Sequence, residues 1–422
     1  MNSMLKRTGS VILSILLTLS IAAAGTGCAK TPVKTDSFPT SSTQTGTAKA
    51  PVSITVWTNF QAEVPTLQEY AKQWSEATGN TATVVHQDAG IQAFTQAANS
   101  SKGPDIVYGT PNDTMATFVS ASLVQEVPQN TITESEYAKA AVQACKVNGK
   151  TYGVPIAVET TALFYNTDKI KTIPQTWDEL IETAKTSGGI MFDLTQIYYD
   201  LGFLRAEGGY IFKNNSDVYD TKDIGLGNDG AIKAYTFLNS LVNQYKFISS
   251  DITQDIARSN FQNGKTAFYI GGPWDISGLK TAGTKFAVAP MPKFDGQNFV
   301  TPVGTQVAFV SKKSQKQDTA WDFIKYMLDK SALKLYDVGA RIPAKLEYQQ
   351  NATVSGDPNT KAFVEQISVG EPMPTTAELG QVWTPYQNNL KLLLTKNITE
   401  KQAASNIVTQ IQSGIATMNS GK

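Results

Sequence analysis

The chain is poor in the residues that serve most metal and redox sites. Its 422 residues include one histidine, His86, and two cysteines, Cys28 and Cys145. A single histidine cannot build a His-cluster metal site, and it argues against histidine-based acid–base catalysis. We expect no disulfide, a surface or turn position for His86, and a small buried Cys145. The sequence therefore predicts neither a metal site nor a cofactor.

An excess of charge of either sign is also missing. Lysine and arginine number 36, aspartate and glutamate number 36, and the formal net charge is zero. This balance does not indicate a nucleic-acid partner or electrostatic steering of a charged ligand. Hydrophobic residues make up 41% and charged residues 17%, as is typical of a globular protein. The body of the chain, residues 51–422, is long enough for two lobes.

The sequence contains one long apolar stretch, at its N-terminus. Lys6 and Arg7 precede apolar residues 11–24, and small residues lead to Cys28 in AAAGTGC. This predicts an export signal over residues 1–27, since a membrane span needs ~20 apolar residues. The cysteine resembles that of a bacterial lipobox, although Gly25 stands where Leu is usual.

This resemblance predicts lipidation of Cys28 and a location on the extracytoplasmic face of the bacterial cell membrane. An ordinary cleaved signal with an incidental cysteine stays open as the alternative. Residues 28–50 are rich in Thr, Ser, Lys and Pro and lack the apolar content to order themselves. We expect them to act as a tether to the lipid anchor.

The body of the chain alternates strand-like and helix-like segments. Apolar runs with β-branched residues predict strands at 53–57, 81–85 and 105–108. Helical spacing predicts helices at 67–78 and 92–98. This order predicts a mixed α/β lobe with parallel pairing, in which ligands bind beyond the carboxyl ends of the strands.

The second half of the chain repeats this style, with strands predicted at 286–289 and 307–310 and helices at 231–245, 319–328 and 401–418. Residues 225–230 (GLGNDG) match G-x-G-x-x-G. A dinucleotide site needs a strand before this motif, and the preceding VYDTKDI is polar and turn-like. We therefore interpret the motif as a helix entry, with Asn228 or Asp229 as the cap.

Residues 148–166 (NGKTYGVPIAVETTALFYN) place one carboxylate between two apolar extended segments. A polar turn leads into the run 152–158, Glu159 interrupts it, and a second run follows at 162–165. A buried and unpaired carboxylate would cost several kcal/mol. We therefore expect Glu159 to face a cleft or a partner.

Aromatic residues are plentiful, with 6 Trp, 16 Tyr and 18 Phe. Trp274 lies in the turn GGPWD, and Trp383 lies in QVWTPY. A pyranose ring stacks its apolar C–H face on such flat rings, while its hydroxyls need planar donors and acceptors. For Trp274, Trp383, Tyr198 and Tyr199, a core position and a ligand platform both stay open on this reasoning.

Seven blocks along the body match one protein family in order. They are VWTNF (56–60), GPDIVY (103–108), the segment 148–166, MFDL (191–194), GGYIF (208–212), FQNGKTAFYIGGPWD (261–275) and GEPMPT (370–375). Together they resemble the maltose- and maltodextrin-binding proteins, which are extracellular solute-binding proteins of sugar-importing ABC transporters.

The resemblance implies an α/β fold of two lobes, a periplasmic-binding-protein-like clamp with mixed sheets and a hinge that the chain crosses about three times. The N-lobe would comprise residues 51–157 and 303–358, and the C-lobe residues 158–302 and 359–422. Maltose or maltooligosaccharide would bind between the lobes of a monomer and favour closure. The closed form would dock on the permease subunits of an ABC importer, and the protein would not be an enzyme.

The resemblance also implies a set of ligand-binding residues. Tyr198, Trp274 and Trp383 would stack on sugar rings. Hydroxyls would bind to Asn59, Asp113 and Glu159, and Met373 would form an apolar wall. Gln61 and Gln196 would also take hydroxyls. The further candidates, which lie in or beside the same segments, are Glu63, Tyr199, Asp275 and Gln387.

Several positions depart from the family pattern and leave the sugar open. The departures are Gln61 and Ala62 for Asp and Lys, Gln196 for Glu, Gln387 for Arg, and Thr110 and Thr114 for Trp and Arg. An amide makes weaker hydrogen bonds than an ion does. Maltodextrin is therefore the leading ligand, and a cyclic or β-linked glucan or a galactoside is the alternative. A lipid-anchored glycosidase and an adhesion protein without a small ligand are the competing functions.

Overall fold

The computed structural model describes residues 50–87, 90–100, 102–215 and 218–420. The predicted signal peptide, Cys28 and all but the last residue of the predicted tether lie outside the described residues. Within the described ranges, no helix combines the length and the apolar character that a bilayer crossing requires.

Strands of the described residues range from two to nine residues in length. In chain order they are β1 (Ser53–Thr58), β2 (Thr81–His86), β3 (Ile106–Pro111), β4 (Lys146–Val147), β5 (Lys150–Thr151), β6 (Val154–Glu159), β7 (Ala162–Asn166), β8 (Ile190–Met191), β9 (Lys213–Asn215), β10 (Val218–Asp220), β11 (Phe268–Gly271), β12 (Phe286–Ala289), β13 (Pro302–Val310), β14 (Ile342–Pro343) and β15 (Glu371–Pro372).

The α-helices of the same ranges alternate with these strands in the first half of the chain and dominate its C-terminal part. In chain order they are α1 (Val64–Thr78), α2 (Ile91–Ala98), α3 (Met115–Ser120), α4 (Lys139–Ala144), α5 (Trp177–Ser187), α6 (Ile197–Ala206), α7 (Asp229–Asn243), α8 (Gln254–Gln262), α9 (Ile276–Thr281), α10 (Gln317–Lys330), α11 (Ala332–Gly339), α12 (Leu346–Gln349), α13 (Ala352–Ser355), α14 (Pro358–Ser368), α15 (Trp383–Leu394) and α16 (Glu400–Ser420).

The larger sheet has the order β14-β6-β13-β3-β1-β2, and β15 pairs with the start of β13. Strand β1 is parallel to β2 and β3, whereas β13 is antiparallel to β3 and β6, and β14 is antiparallel to β6. The carboxyl ends of β1, β3 and β6 therefore meet the amino ends of β13 and β14. We call this side of the sheet, with Asp113, Glu159 and Arg341, the first-lobe edge.

The smaller sheet has the order β12-β7-β11-β8. Strand β7 is antiparallel to β11 and β12, and β11 is parallel to β8. The carboxyl ends of β8 and β11 therefore lie beside the amino end of β7. We call this side, with Gln196, Tyr198 and Trp274, the second-lobe edge.

Short crossings join the two sheets and bring their edges together. Strand β6 ends at Glu159 and β7 begins at Ala162, so Thr160 and Thr161 alone form the first crossing. The Thr160 hydroxyl donates to Thr301 Oγ1 at 2.7 Å, just where the returning chain enters β13. The hydroxyl thus ties the first crossing to the second. The residue boundaries predicted for the lobes stay predictions.

An aromatic cluster anchors the second crossing to the lobe that contains the smaller sheet. Phe203 of α6 lies at its centre, with ring centroids 4.7 Å from Trp177, 4.8 Å from Phe299 and 5.2 Å from Phe294. Phe294 and Phe299 belong to the segment between β12 and β13, and both are buried. Helix α6 and the segment between β12 and β13 therefore pack into the same hydrophobic core.

The strands and helices predicted from the sequence are confirmed. Their ends differ from the predicted ends by a few residues, and the largest difference is in β13, which begins at Pro302 rather than at 307. The predicted helix entry is also confirmed, because a 3-10 turn, Gly225–Gly227, precedes α7. Asn228 is the cap, with its side-chain oxygen accepting a hydrogen bond from Ala231 N at 2.8 Å.

The two sparse residue types lie where the sequence predicts them. Cys145 is 0% exposed and free of a disulfide. His86 is the last residue of β2 and is exposed.

Candidate ligand-binding cavity

The strand ends of the larger sheet bring distant residues together at the first-lobe edge. Asp113 lies in a 3-10 turn directly after β3, and Glu159 is the last residue of β6. Gln306 lies on β13, and its Nε2 donates to Glu159 Oε1 at 2.8 Å. Arg341 immediately precedes β14, and its Nη1 lies 3.9 Å from Glu159 Oε2. Glu159 therefore has an amide on one oxygen and a cation near the other.

Trp274 is held by the tight turn that follows β11. Asp275 Oδ2 accepts hydrogen bonds from the Tyr269 hydroxyl at 2.9 Å and from Gly272 N at 3.2 Å. A Cβ on Gly272 would collide with the Trp274 ring, so the indole lies against the bare backbone of this glycine. The turn thereby sets the orientation of the ring.

Gln196 and Tyr198 come from the start of α6. Asp193 Oδ2 accepts a hydrogen bond from Gln196 Nε2 at 2.8 Å, which orients the Gln196 amide. The ring centroids of Tyr198 and Trp274 are 6.3 Å apart, and their planes are inclined by 52°. These two rings therefore form adjacent apolar faces, inclined to each other, at the second-lobe edge.

Both edges open into one cavity of about 410 Å³, within the usual range of small-molecule sites. Trp383, half-buried at the start of α15, completes its aromatic side. The lining residues are Pro111, Asp113, Glu159, Gln196, Tyr198, Trp274, Gln306, Arg341 and Trp383. The cavity thus combines three aromatic rings with amides, carboxylates and one guanidinium.

Several buried polar atoms around this cavity have no hydrogen-bond partner among the described residues. They are Asp113 Oδ1, the Tyr198 hydroxyl and Gln306 Oε1 in the lining, and Asn59 Oδ1 just after β1. Buried polar groups in native proteins are normally hydrogen-bonded, because an unmade bond costs free energy. A ligand with hydroxyl groups would satisfy them.

Burial controls the protonation of the two lining carboxylates. It raises the pKa of Glu159, and the nearby Asp113 adds to this effect, while the Arg341 guanidinium and the Gln306 hydrogen bond oppose it. Burial also raises the pKa of Asp113 to about 6, against the effect of hydrogen bonds from the backbone N–H groups of Thr114 and of Asp113 itself. Both groups therefore hold a proton more tightly in the folded protein than in the unfolded chain.

Asp113→Asn is expected to stabilise the ligand-free protein near neutral pH and to weaken ligand binding. The folded-state pKa of about 6 lies above the ordinary 3.8. The stability that Asp113 contributes is therefore fully present below the lower value and is lost as the pH rises through the upper one. Asparagine cannot ionise, so the gain in unfolding free energy should grow to roughly 1–3 kcal/mol between about pH 4 and pH 7.5.

Thermal unfolding at both pH values measures this gain. Asp322→Asn, on the exposed face of α10, is the matched control and should change the melting temperature little at either pH. An equal effect of Asp113→Asn at both pH values would contradict the burial argument.

Six of the thirteen predicted ligand-binding residues line the cavity. They are Asp113, Glu159, Gln196, Tyr198, Trp274 and Trp383. For these positions the structure provides the geometry that direct contact requires. Their role in binding stays a prediction.

The structure places the other seven predicted residues outside the lining. Direct ligand contact does not fit Asp275, because it is buried and the turn around Trp274 binds its carboxylate. Glu63 is also buried, and its Oε1 accepts from Arg341, while its Oε2 has no hydrogen-bond partner among the described residues. Tyr199 is 7% exposed and packs into the core of the lobe that contains the smaller sheet, since it is rotated by about 100° around α6 from Tyr198. Met373 is 2% exposed and borders a separate groove.

The remaining three residues lie near the cavity without lining it. Asn59 is half-buried at the end of β1, Gln61 is exposed in the following turn, and Gln387 is half-buried one turn along α15 from Trp383. A role of these three residues in binding stays a prediction.

Sequence reasoning missed three lining residues, Pro111, Gln306 and Arg341. Gln306 had a usable signal, because it interrupts the apolar strand GTQVAFV much as Glu159 interrupts its own strand. The sequence around Arg341 gives no comparable signal, since its position depends on the antiparallel pairing of β14 with β6.

The arrangement suits binding of a neutral, hydroxyl-rich molecule. Flat rings can stack on apolar faces, and the orphaned oxygens and amides can take hydroxyl groups. In the described part of the chain, no group of three or more His, Cys, Asp or Glu side chains could hold a metal ion. The fold and the cavity together define a two-lobe clamp for a small ligand.

The chain belongs to the family of bacterial extracellular solute-binding proteins. The model of this family matches residues 69–362. A relative, the galactooligosaccharide-binding protein of Bacillus subtilis, is 30% identical over 333 residues, which cover 76% of this chain and 79% of the relative.

Other comparisons agree with the resemblance to maltodextrin-binding proteins and with the clamp fold. The maltooligosaccharide ABC transporter solute-binding lipoprotein of Streptococcus pneumoniae is 28% identical and covers 83% of this chain and 86% of its own length. The X-ray structure of the maltose-maltodextrin binding protein of Alicyclobacillus acidocaldarius matches with a TM-score of 0.82 and 33% identity. The match covers 85% of this chain and 100% of that protein. The predicted family and the predicted fold class are therefore confirmed.

Proposed function

We propose that this protein captures maltose or maltooligosaccharides in the cavity between its lobes and delivers them to an ABC importer. The observation that carries this proposal is the pairing of aromatic rings with unpartnered polar atoms in one cavity. The rings of Tyr198 and Trp274 lie 6.3 Å apart, and Asp113 Oδ1 and Gln306 Oε1 lack partners there. A sugar ring presents both the apolar face and the hydroxyl edge that such a cavity binds.

The relatives named for maltooligosaccharides support the choice of sugar. The proposal also includes anchoring through a lipid on Cys28 at the extracytoplasmic face of the bacterial cell membrane. It includes monomeric action and docking on the permease subunits. The matched Streptococcus relative is named as a lipoprotein of an ABC transporter, which supports the lipid anchor and the link to an importer. Ligand that contacts both edges would favour the closed clamp that a permease could recognise.

Titration of the purified protein with maltose, maltotriose, cyclodextrin, cellobiose and lactose tests the proposal. Trp274 and Trp383 line the cavity, so saturable change in tryptophan fluorescence is expected with the α-glucans, and calorimetry should give the same dissociation constants. Response to lactose or cellobiose alone would overturn the choice of sugar. Silence in both measurements with every sugar would overturn the sugar-receptor proposal.

A galactooligosaccharide is the second candidate ligand. The observation that favours it is the 30% identity with a Bacillus subtilis protein named for such sugars. The amides Gln61 and Gln196, which replace charged residues of the maltodextrin pattern, are compatible with a different hydroxyl arrangement. A competition experiment between maltotriose and a galactosyl oligosaccharide separates the two candidates.

Binding without catalysis is part of the same proposal. Glycoside hydrolysis requires an acid and a second carboxylate on opposite sides of the scissile bond. Asp113 and Glu159 both lie at the first-lobe edge, and the lining residues of the second-lobe edge include no carboxylate. Incubation with a labelled maltooligosaccharide should leave it intact, and release of shorter sugars by the pure protein would contradict the proposal.

A further inference from the structure

Arg341 is seated more firmly than a surface arginine. Its Nε donates to Glu63 Oε1 at 2.5 Å, and its Cζ lies 4.2 Å from the centroid of the Phe60 ring. Both partners belong to the segment that follows β1. A Cβ on Gly339 would collide with the Glu63 carboxylate, so the approach of these groups depends on that glycine. The guanidinium is therefore fixed on one face and along one edge.

The other edge of the guanidinium faces the cavity and has N–H donors that do not bond to Glu63. Guanidinium has five N–H donors, and the hydrogen bond to Glu63 uses one. Nη1 lies 3.9 Å from Glu159 Oε2, which is beyond hydrogen-bond distance. Arg341 is also the one cationic residue in the cavity lining as far as the described residues form it.

The gap between Arg341 and Glu159 has the dimensions of one hydroxyl group. An oxygen atom roughly 2.8 Å from both atoms would span it, accepting from Nη1 and donating to Oε2. Glu159 Oε1 is already bound to Gln306 Nε2. An ether oxygen or a carboxylate could not fill this gap equally well, because neither can donate to Glu159. The geometry therefore favours a group that donates and accepts at once.

We propose that Arg341 is a specificity-determining residue of the cavity, which together with Glu159 selects one ligand hydroxyl. The proposal rests on the proposed function, since it assumes that the cavity takes an oligosaccharide. It extends the proposed function by one binding residue, Arg341, and by the type of ligand group that this residue binds. Arg341 acts both as a donor and as a nearby positive charge that favours the ionised, hydrogen-bond-accepting form of Glu159.

The charges around Glu159 show why the cation matters. Asp113 lies near it in the turn after β3, Tyr198 lines the same cavity from α6, and Tyr199 of α6 interacts with it electrostatically from the core. Glu63 approaches from the segment after β1 through Arg341. Without Arg341 these groups offer no compensating positive charge, so the pKa of Glu159 should rise further. Binding by an ionised Glu159 would then be lost as the pH falls.

Calorimetric dissociation constants for maltotriose at about pH 5.5 and pH 8 test the proposal, with maltotriose replaced by whichever titrated sugar the wild type binds best. Arg341→Met is expected to weaken binding by about 10- to 100-fold, with the larger loss at the lower pH. Arg341→Lys keeps the charge and loses the planar fork, so it should weaken binding while keeping the wild-type pH dependence. Arg205→Met removes an arginine paired with Glu371 at 3.1 Å outside the lining and should leave affinity unchanged.

A series of monodeoxy maltotrioses identifies the selected hydroxyl. One deoxy sugar of the series should bind the wild type more weakly than maltotriose does. The same deoxy sugar and maltotriose should bind the Arg341→Met variant with equal affinity. A wild type that binds none of the titrated sugars overturns the proposed function, and this inference with it. A wild type that binds, together with an Arg341→Met variant within about twofold at both pH values, overturns the inference alone.

Thermal unfolding checks whether each variant is folded. If Arg341→Met does not fold, Arg341→Lys and Glu63→Gln are used for the test instead. Glu63→Gln weakens the interaction that positions Arg341 and leaves the positive charge of Arg341 in place. Both variants should then weaken binding and lower the penalty for removing the selected hydroxyl. Wild-type affinity and an unchanged penalty in both would contradict the proposal.

Discussion

Trp274→Ala is expected to raise the dissociation constant of the bound sugar by about 10- to 100-fold, or ~1–3 kcal/mol. The indole faces the cavity, and its apolar face lies adjacent to that of Tyr198. Alanine removes the flat face on which a sugar ring would stack. The turn that carries it is closed by Asp275, Tyr269 and the Gly272 backbone, so the fold should survive the change. Calorimetry gives the affinity, and thermal unfolding checks the fold.

Two further variants make this test specific. Trp274→Phe keeps a smaller ring and should lose less affinity than alanine does. Trp57→Phe changes a half-buried tryptophan of β1 outside the lining and should leave affinity unchanged. A Trp274→Ala protein with wild-type affinity and melting temperature would remove Trp274 from the binding site.

Phe203→Ala should give the largest loss of stability, about 3–5 kcal/mol of unfolding free energy. Phe203 is 0% exposed, and five other aromatic rings lie around it, those of Trp177, Phe192, Phe237, Phe294 and Phe299. The cavity left by the ring cannot collapse easily, because its neighbours come from several different elements. Urea unfolding at constant temperature measures the loss.

Leu392→Ala, at an apolar position of α15 that is 41% exposed, is the control and should change the unfolding free energy by less than about 1 kcal/mol. If Phe203→Ala cost no more than this control, the cluster would not be the anchor of the returning chain. Phe203→Ala should also weaken sugar binding, since Phe203 and Tyr198 lie on the same helix, α6.

Much of the fold could be predicted from local sequence patterns. Strands such as SITVW and FAVA carry β-branched and apolar residues in short runs, and helices such as α1 and α7 show clear apolar spacing. The patterns could not give the antiparallel insertion of β13 between β3 and β6. That pairing joins residues far apart in the chain, and tertiary packing alone decides it.

The site was predictable to the extent that strand ends determine it. Asp113 and Glu159 follow strands that end at the same edge, so their approach follows from the topology. The direction in which each side chain points was harder to predict from the sequence. Tyr198 and Tyr199 are neighbours on one helix, yet one faces the cavity and the other the core.

Position within a motif also failed to distinguish contact from support. Asp275 follows Trp274 directly, but its carboxylate bonds the backbone of its own turn. Glu63 lies close in sequence to the predicted ligand residues Asn59 and Gln61, but its Oε1 accepts a hydrogen bond from Arg341. In both cases a hydrogen-bond partner decides the role of the carboxylate, and the sequence does not reveal that partner.

The burial of Cys145 makes the protein suitable for conversion into an optical sugar sensor. This thiol is 0% exposed, and burial raises its pKa, so the reactive thiolate is suppressed. With Cys28 changed to serine, a cysteine introduced at the exposed Gln61 would be the one thiol open to labelling. A polarity-sensitive dye there would sit beside the first-lobe edge and report clamp closure as a colour change.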